Sequence, residues 1–246
     1  MRVWAIGDLH LPGGDKKPMD IFGAHWKNHF ERISEDWRRK VAEEDIVLIP
    51  GDISWAITLE NALEDLRRIA QLPGTIGILK GNHDFWWNSL TQLRMSLPPN
   101  MFALQNDAFR FGNVIIAGTR GWTIPAGSQA DDKVVKIYKR EVQRLSFSLD
   151  RARELAGGDD CTTIVMMHYP PITQETLKTG TGFTELLRDA GIRECIYGHL
   201  HGNSIGYAVQ GMVDGVHYDL VSCDALGFEL MEVPLGTGRD MSGPVP

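Results

Sequence analysis

Short apolar runs alternate along this chain with stretches in which apolar residues recur every three or four positions. The first run, Val3-Trp4-Ala5-Ile6, reads as a strand. Trp26, Phe30, Ile33, Trp37 and Val41 then fall at spacings of 4, 3, 4 and 4, one apolar face of a helix. Ile46-Val47-Leu48-Ile49 predicts a second strand. Leu59, Leu63, Leu66 and Ile69 predict a second helix, with Thr58 as its N-cap and Pro73-Gly74 as its stop. Thr75–Leu79 is the third strand. Strand, helix, strand, helix, strand is the grammar of a parallel sheet with right-handed crossovers.

The middle of the chain differs. Met101–Leu104, Ala108–Phe111 and Val114–Gly118 are short strands, the last two joined by the hairpin signal Gly112-Asn113. The loop 119–130 is too long for a plain connector. Tyr138, Val142, Leu145, Leu149 and Ala152 mark the longest helix, with Asp131 and Asp132 at its start, where the helix dipole favours negative charge. Strands at Thr163–Met167 and Cys195–Gly198 follow, and then short antiparallel candidates at Ile205–Val209, Val216–Ser222 and Phe228–Val233. No repeat, linker or low-complexity segment interrupts this order. Residues 1–234 read as one domain with two packed sheets, and the Gly/Pro-rich residues 235–246 as a flexible tail.

Composition narrows the function classes. A formal charge of −7 without a block of basic residues argues against an extended nucleic-acid groove or an anionic membrane surface. Cys161, Cys195 and Cys223 are odd in number, lack C-x-x-C spacing and read as reduced thiols. No apolar run approaches the ~20 residues of a membrane span, and the first strand starts too early for a signal peptide. The expected location is the cytoplasm.

Chemistry sits at the strand ends. The first strand runs into Asp8-Leu9-His10, the second into Gly51-Asp52, and the third into Gly81-Asn82-His83-Asp84. Thr163–Met167 ends at His168, and Cys195-Ile196-Tyr197-Gly198 at His199-Leu200-His201. In parallel sheets ligands gather at the carboxyl ends of the strands. Each motif alone could be a turn former or a core histidine; five in this order are specific.

Together they resemble the calcineurin-like metallophosphoesterase superfamily, from Asp8 to His201. The resemblance implies an α/β fold, a four-layer sandwich of two mixed sheets flanked by helices. It also implies a centre of two divalent metal ions, Mn expected and Fe, Zn, Co or Ni acceptable to such ligands. Asp8, His10 and His201 are then ligands of one ion, Asn82, His168 and His199 of the other, and Asp52 bridges. The implied reaction is attack of a metal-bridging hydroxide on the phosphorus of a phosphoester. His83 is the implied general acid, and Asp84 is expected to orient it.

Departures from sub-family patterns narrow the substrate. Ile53-Ser54-Trp55 follows Gly51-Asp52 where protein phosphatases carry Asp-Arg-Gly, and Asp84 stands where they carry Glu. Trp55 also occupies the place of the metal-binding Tyr of purple acid phosphatases, and an indole N–H cannot coordinate. A small phosphoester remains as the expected partner, with a phosphodiester favoured over a monoester. A catalytically silent interaction module of the same fold is the reading from another class, and such a chain should have lost ligands. Trp55, Phe85, Trp86, Trp87, Trp122 and Tyr169 lie on or after site loops and either stack on substrate or wall the site. Arg120 is a candidate phosphate clamp. His25 and His29, four apart, are read as a solvated helix face, and Asp224 as outside the site.

Overall fold

The structure, a computed structural model, describes residues 1–14, 19–125, 127 and 130–235. β1 (Val3–Ala5), β2 (Ile46–Ile49), β3 (Thr75–Leu79) and β4 (Met101–Leu104) are parallel neighbours in one sheet. β5 (Ala108–Phe111), β6 (Val114–Thr119), β7 (Thr162–Met167), β8 (Glu194–Tyr197), β9 (Gly211–Val213) and β10 (Val216–Leu220) build the other, in the order β5-β6-β7-β8-β10-β9. Its inner four strands are parallel, and its two edge strands are antiparallel to their neighbours. β11 (Met231–Val233) returns to pair antiparallel with β1.

Side-chain alternation sorts the apolar residues into three layers. Val47, Ile49, Ile76 and Ile78 face α1 (His29–Lys40), α2 (Leu59–Ile69) and α3 (Leu90–Ser96), meeting Ile33, Trp37, Leu66 and Leu93. Val3, Ala5, Ile46 and Leu48 point the other way and meet Ile116, Ile164, Met166 and Ile196 of the second sheet. Val165, Met167, Cys195 and Tyr197 complete the third layer against α4 (Asp132–Ala156) and α5 (Gly182–Asp189). Helices, sheet, sheet, helices is the four-layer α/β sandwich with two mixed sheets. Burial on both faces explains why the strands read as unbroken apolar runs.

Several boundaries differ from the sequence reading. Trp26 belongs to a 3-10 turn before α1. α4 begins at Asp132, where the sequence places its start, with Asp131 capping the Lys133 N–H at 2.7 Å. α3 and α5 are only 7 and 8 residues long, too short for a periodic signal. Ile205–Val209 was expected as a strand, but Gly202–Tyr207 is a 3-10 turn and Gly211–Val213 pairs with β10. The Ser204 hydroxyl donates to the His201 carbonyl at 2.6 Å and accepts its N–H at 3.3 Å, a local turn that competes with a ladder. The Gly/Pro-rich end beyond Leu235 lies outside the described residues.

The two sheets converge at their carboxyl ends. The Gly7 N–H donates to Val221 O at 2.6 Å, and the Cys223 N–H donates back to Gly7 O at 3.0 Å, stitching the exit of β1 to that of β10. Among the described residues no helix is long and apolar enough to cross a membrane.

Candidate metal centre

All seven expected ligands project from loops at these carboxyl ends, and the structure brings them together. Asp8 and His10 leave β1, Asp52 leaves β2, Asn82 leaves β3, His168 follows β7, and His199 and His201 follow β8. The turns are tight: Asp8, His10, Asp52 and His199 adopt positive φ of 58°, 45°, 50° and 76°. Such backbone is unfavourable for a side-chain-bearing residue and persists only where neighbours impose it. The Asp8 N–H donates to Gly51 O at 3.0 Å and the His10 N–H to Asp52 O at 2.9 Å, binding the first two loops together.

Two glycines are required by close approach. A Cβ on Gly81 would be driven into the Asp52 carboxylate, and one on Gly198 into the Asp8 carboxylate. The glycines of Gly-Asn-His-Asp and Gly-His-Leu-His therefore leave space for ligands supplied by other strands.

Two trios of potential ligands lie side by side, Asp8 with His10 and His201, and Asp52 with His168 and His199; within each, the ligand atoms lie within 4.8 Å of one another. Asn82 Oδ1 joins the second trio, 2.7 Å from His168 Nε2 and 2.8 Å from His199 Nδ1. The Asp52 carboxylate is shared. Its Oδ1 accepts the His83 N–H at 2.8 Å, while Oδ2 lies 3.9 Å from His10 Nε2 and 3.6 Å from His168 Nε2.

The donor set fits divalent cations. Burial lowers the His168 imidazole, which is then neutral, and Pro50 O lies 2.9 Å from Nδ1 to take its one N–H. Its Nε2 lone pair therefore faces the Asn82 carbonyl oxygen, two electron-pair donors converging on one point. Burial also lowers His10 to about 3 and His199 to about 4, and neutral imidazole is the coordinating form. Burial and the Asp8 charge push Asp52 up to about 8. Asp8 is buried too, but the hydrogen bond and charge of the His201 imidazole outweigh this and hold it at about 2. A cation between these groups would relieve the repulsion.

His83 stands beside the trios. Its ring lies 4.5 Å from Trp55 and 5.8 Å from His10, and Trp55 in turn stacks on His10 at 4.8 Å. Asp84 lies among N–H donors. Its Oδ1 accepts N–H groups from Ile53 (2.9 Å), Ser54 (3.2 Å) and the Trp86 indole (3.1 Å), and Oδ2 accepts from Gly81 at 2.7 Å. Both oxygens are thus engaged by these N–H groups. The carboxylate clamps the Asp52 loop to the His83 loop; burial and the Asp52 charge push it up to about 7, with the N–H donors pulling against them.

Asp224 is the residue that sequence reasoning set aside. Its carboxylate lies 2.8 Å from His201 Nδ1 and accepts the Gly202 N–H at 3.0 Å. A carboxylate behind an imidazole fixes its orientation and strengthens it as a ligand. The only signal was its place after a strand, which the ligands share. Of the aromatic candidates, Trp86 and Trp87 are buried in the core, and their indoles donate to Asp84 and Gln105. Arg120 lies 3.8 Å from buried Glu141 and stacks 4.8 Å over Trp122. His29 is half-buried, with Nε2 2.8 Å from Leu9 O, and so is not a solvated face.

The family model described as calcineurin-like phosphoesterase matches residues 1–203. Gene 66 protein of Mycobacterium phage D29 is 27% identical over 205 residues, 83% of this chain and 80% of the phage protein. Among solved structures, phosphopantetheinyl hydrolase from Mycobacterium tuberculosis has a TM-score of 0.57 at 15% identity, covering 98% of each chain. A protein of unknown function from Aquifex aeolicus has a TM-score of 0.42 at 14% identity, covering 94% of this chain and 95% of its own. The mycobacterial enzyme is a likeness of fold.

Proposed function

Because the chain belongs to the calcineurin-like phosphoesterase family, it is a metal-dependent hydrolase of phosphoester bonds, and we propose that it uses two divalent cations to cleave a small phosphodiester. The observation that carries the two-cation reading is the Asp52 carboxylate, whose Oδ2 faces a nitrogen of each trio. Asp8, His10 and His201 would hold one cation, and Asn82, His168 and His199 the other, with Asp52 between them. Bound there, the pair supplies Lewis-acid polarisation of phosphate oxygens and acidifies a water to near neutral pH.

The chain's own residues do the rest. Burial, chiefly, lowers the His83 imidazole, so it meets the substrate neutral, with one N–H to offer the leaving oxygen. An anionic phosphate beside it raises its proton affinity, so that the ring takes a proton from solvent and, as imidazolium, would pass it to the leaving oxygen. Trp55 packs on His83 and His10 together and sets the spacing between acid and ligand. Asp84 acts one step back, as a positioning residue for the loops of Asp52 and His83.

The diester reading rests on the two aromatic walls. Trp55, with Phe85 6.3 Å from His83, stands on the His10 side, and Tyr169, 4.3 Å from His199, on the other. A diester carries an organic group for each.

Elemental analysis with hydrolysis of bis(p-nitrophenyl) phosphate and p-nitrophenyl phosphate in added Mn²⁺ tests both parts. Expected are about two metal ions per chain and faster diester cleavage. His83→Ala should retain metal and lose about 10²–10⁴-fold in turnover, whereas Asp52→Asn should lose metal as well. One ion per chain would overturn the dinuclear reading, and monoester preference the diester one. A metal-free, inactive protein would make this chain an interaction module of the same fold.

A further inference from the structure

A groove of about 410 Å³ opens beside His199, between the loop after β6 and the segment after β7. Trp122 and Tyr169 form its aromatic wall, 5.3 Å apart, and Tyr169 continues that wall to His199 at 4.3 Å. Ile124 and Pro170 add apolar surface, and Thr173 and Thr176 add hydroxyls held by their own turn. Among the described lining residues there is no Lys or Arg, and Glu175 adds a negative charge. Arg120 lies over Trp122, 3.8 Å from Glu141, and is not among the lining residues.

His83, the residue that serves the leaving oxygen, is on the other flank, against Trp55 and His10. The groove therefore faces the part of the substrate that does not leave. Resting on the diester reading above, we propose that this groove receives the retained arm of the phosphodiester and selects an uncharged planar aromatic group there, a nucleobase or an aryl ring. Stacking on Trp122 and Tyr169 supplies the preference. Without a cation among the described lining residues, a second phosphate on that arm is disfavoured by Glu175.

The test uses diesters that share the p-nitrophenolate leaving group and differ in the retained arm: methyl, phenyl and thymidine. With metal-loaded enzyme, the phenyl and thymidine arms should exceed methyl in kcat/KM by about tenfold, mostly through KM. In Trp122→Ala the preference should collapse to about twofold or less at unchanged metal content, and Trp122→Phe, which keeps a ring, should restore it. Equal use of methyl and phenyl arms by the wild type, or a preference that survives Trp122→Ala, would overturn the assignment. Loss of metal from the Ala variant would overturn it too, by making Trp122 a structural support of the centre. No turnover of any diester, with monoester cleavage intact, would remove the diester reading on which it stands.

Discussion

Asp224 shows how a side chain without a motif comes to stand behind a candidate metal ligand. Its carboxylate holds His201 Nδ1, so that Nε2 is presented toward Asp8 Oδ1 at 3.4 Å. Trimming it should free the imidazole to rotate. Asp224→Ala is expected to weaken metal binding by about 10–100-fold, read by competition with a chelating dye, while Asp224→Asn, which keeps an acceptor, retains most of the affinity. Equal affinity in Asp224→Ala and wild type would mean that packing alone orients His201. The same scale explains the positive φ of Asp8, His10, Asp52 and His199. Each turns the chain sharply where a strand ends, so that several carboxylates and imidazoles meet in a space a regular loop would overshoot.

At the level of elements, α4 does more than cover a sheet. Ser148 on its buried face accepts the Gly118 N–H at 2.7 Å and donates to Asp107 O at 2.6 Å, pinning the helix to the β5-β6 hairpin. Gly118 admits no Cβ because Met166 O of β7 lies against it. The β6 and β7 exits set Arg120 beside His168, whose N–H donates to Arg120 O at 3.1 Å. Ser148→Ala leaves a buried N–H without its acceptor and should cost about 1–3 kcal/mol. Thermal melts should show a lower Tm, while the metal content of the folded protein stays that of the wild type. An unchanged Tm would show that water or a shifted backbone satisfies Gly118.

For the whole molecule, two carboxylates tie distant segments together: Asp36 joins α1 to the residue before β11, and Asp45, in the turn before β2, holds the entry of β1. Asp36 on α1 accepts the Leu230 N–H at 2.8 Å and pairs with Lys40 at 2.9 Å. Asp45 accepts the Arg2 N–H at 2.7 Å and the Trp4 indole at 3.2 Å. Burial raises both, but these partners outweigh it and hold both carboxyls below the ordinary 3.8. A depressed carboxyl contributes stability that is fully present above pH 3.8 and is lost as pH falls through the lower folded value. The Tm should therefore drop on acidification below about pH 4, and Asp36→Asn should shrink that drop while lowering Tm at neutral pH. A variant as acid-sensitive as the wild type would place the titration elsewhere.

Apolar periodicity, strand-end motifs and turn residues were legible one segment at a time. They yielded the parallel strands, α1, α2 and α4 within a few residues, and the gathering of Asp8, His10, Asp52, Asn82, His83, His168, His199 and His201 at one end of the sheets. These signals are local: a strand buried on both faces is apolar throughout, and a loop that leaves its carboxyl end carries its polar residues in sequence. Only the tertiary structure decided matters of distance. Asp84 is an anchor for two loops because three N–H groups from the Asp52 and Gly81 loops, with the Trp86 indole, reach its oxygens. Asp224 became the support of His201, 23 residues away along the chain, because the exits of β8 and β10 lie side by side. Trp86 and Trp87 went to the core and Trp122 to a groove, although all three follow strand exits. A short polar segment bears no mark of what will stand beside it, since that neighbour is set by how the sheets pack.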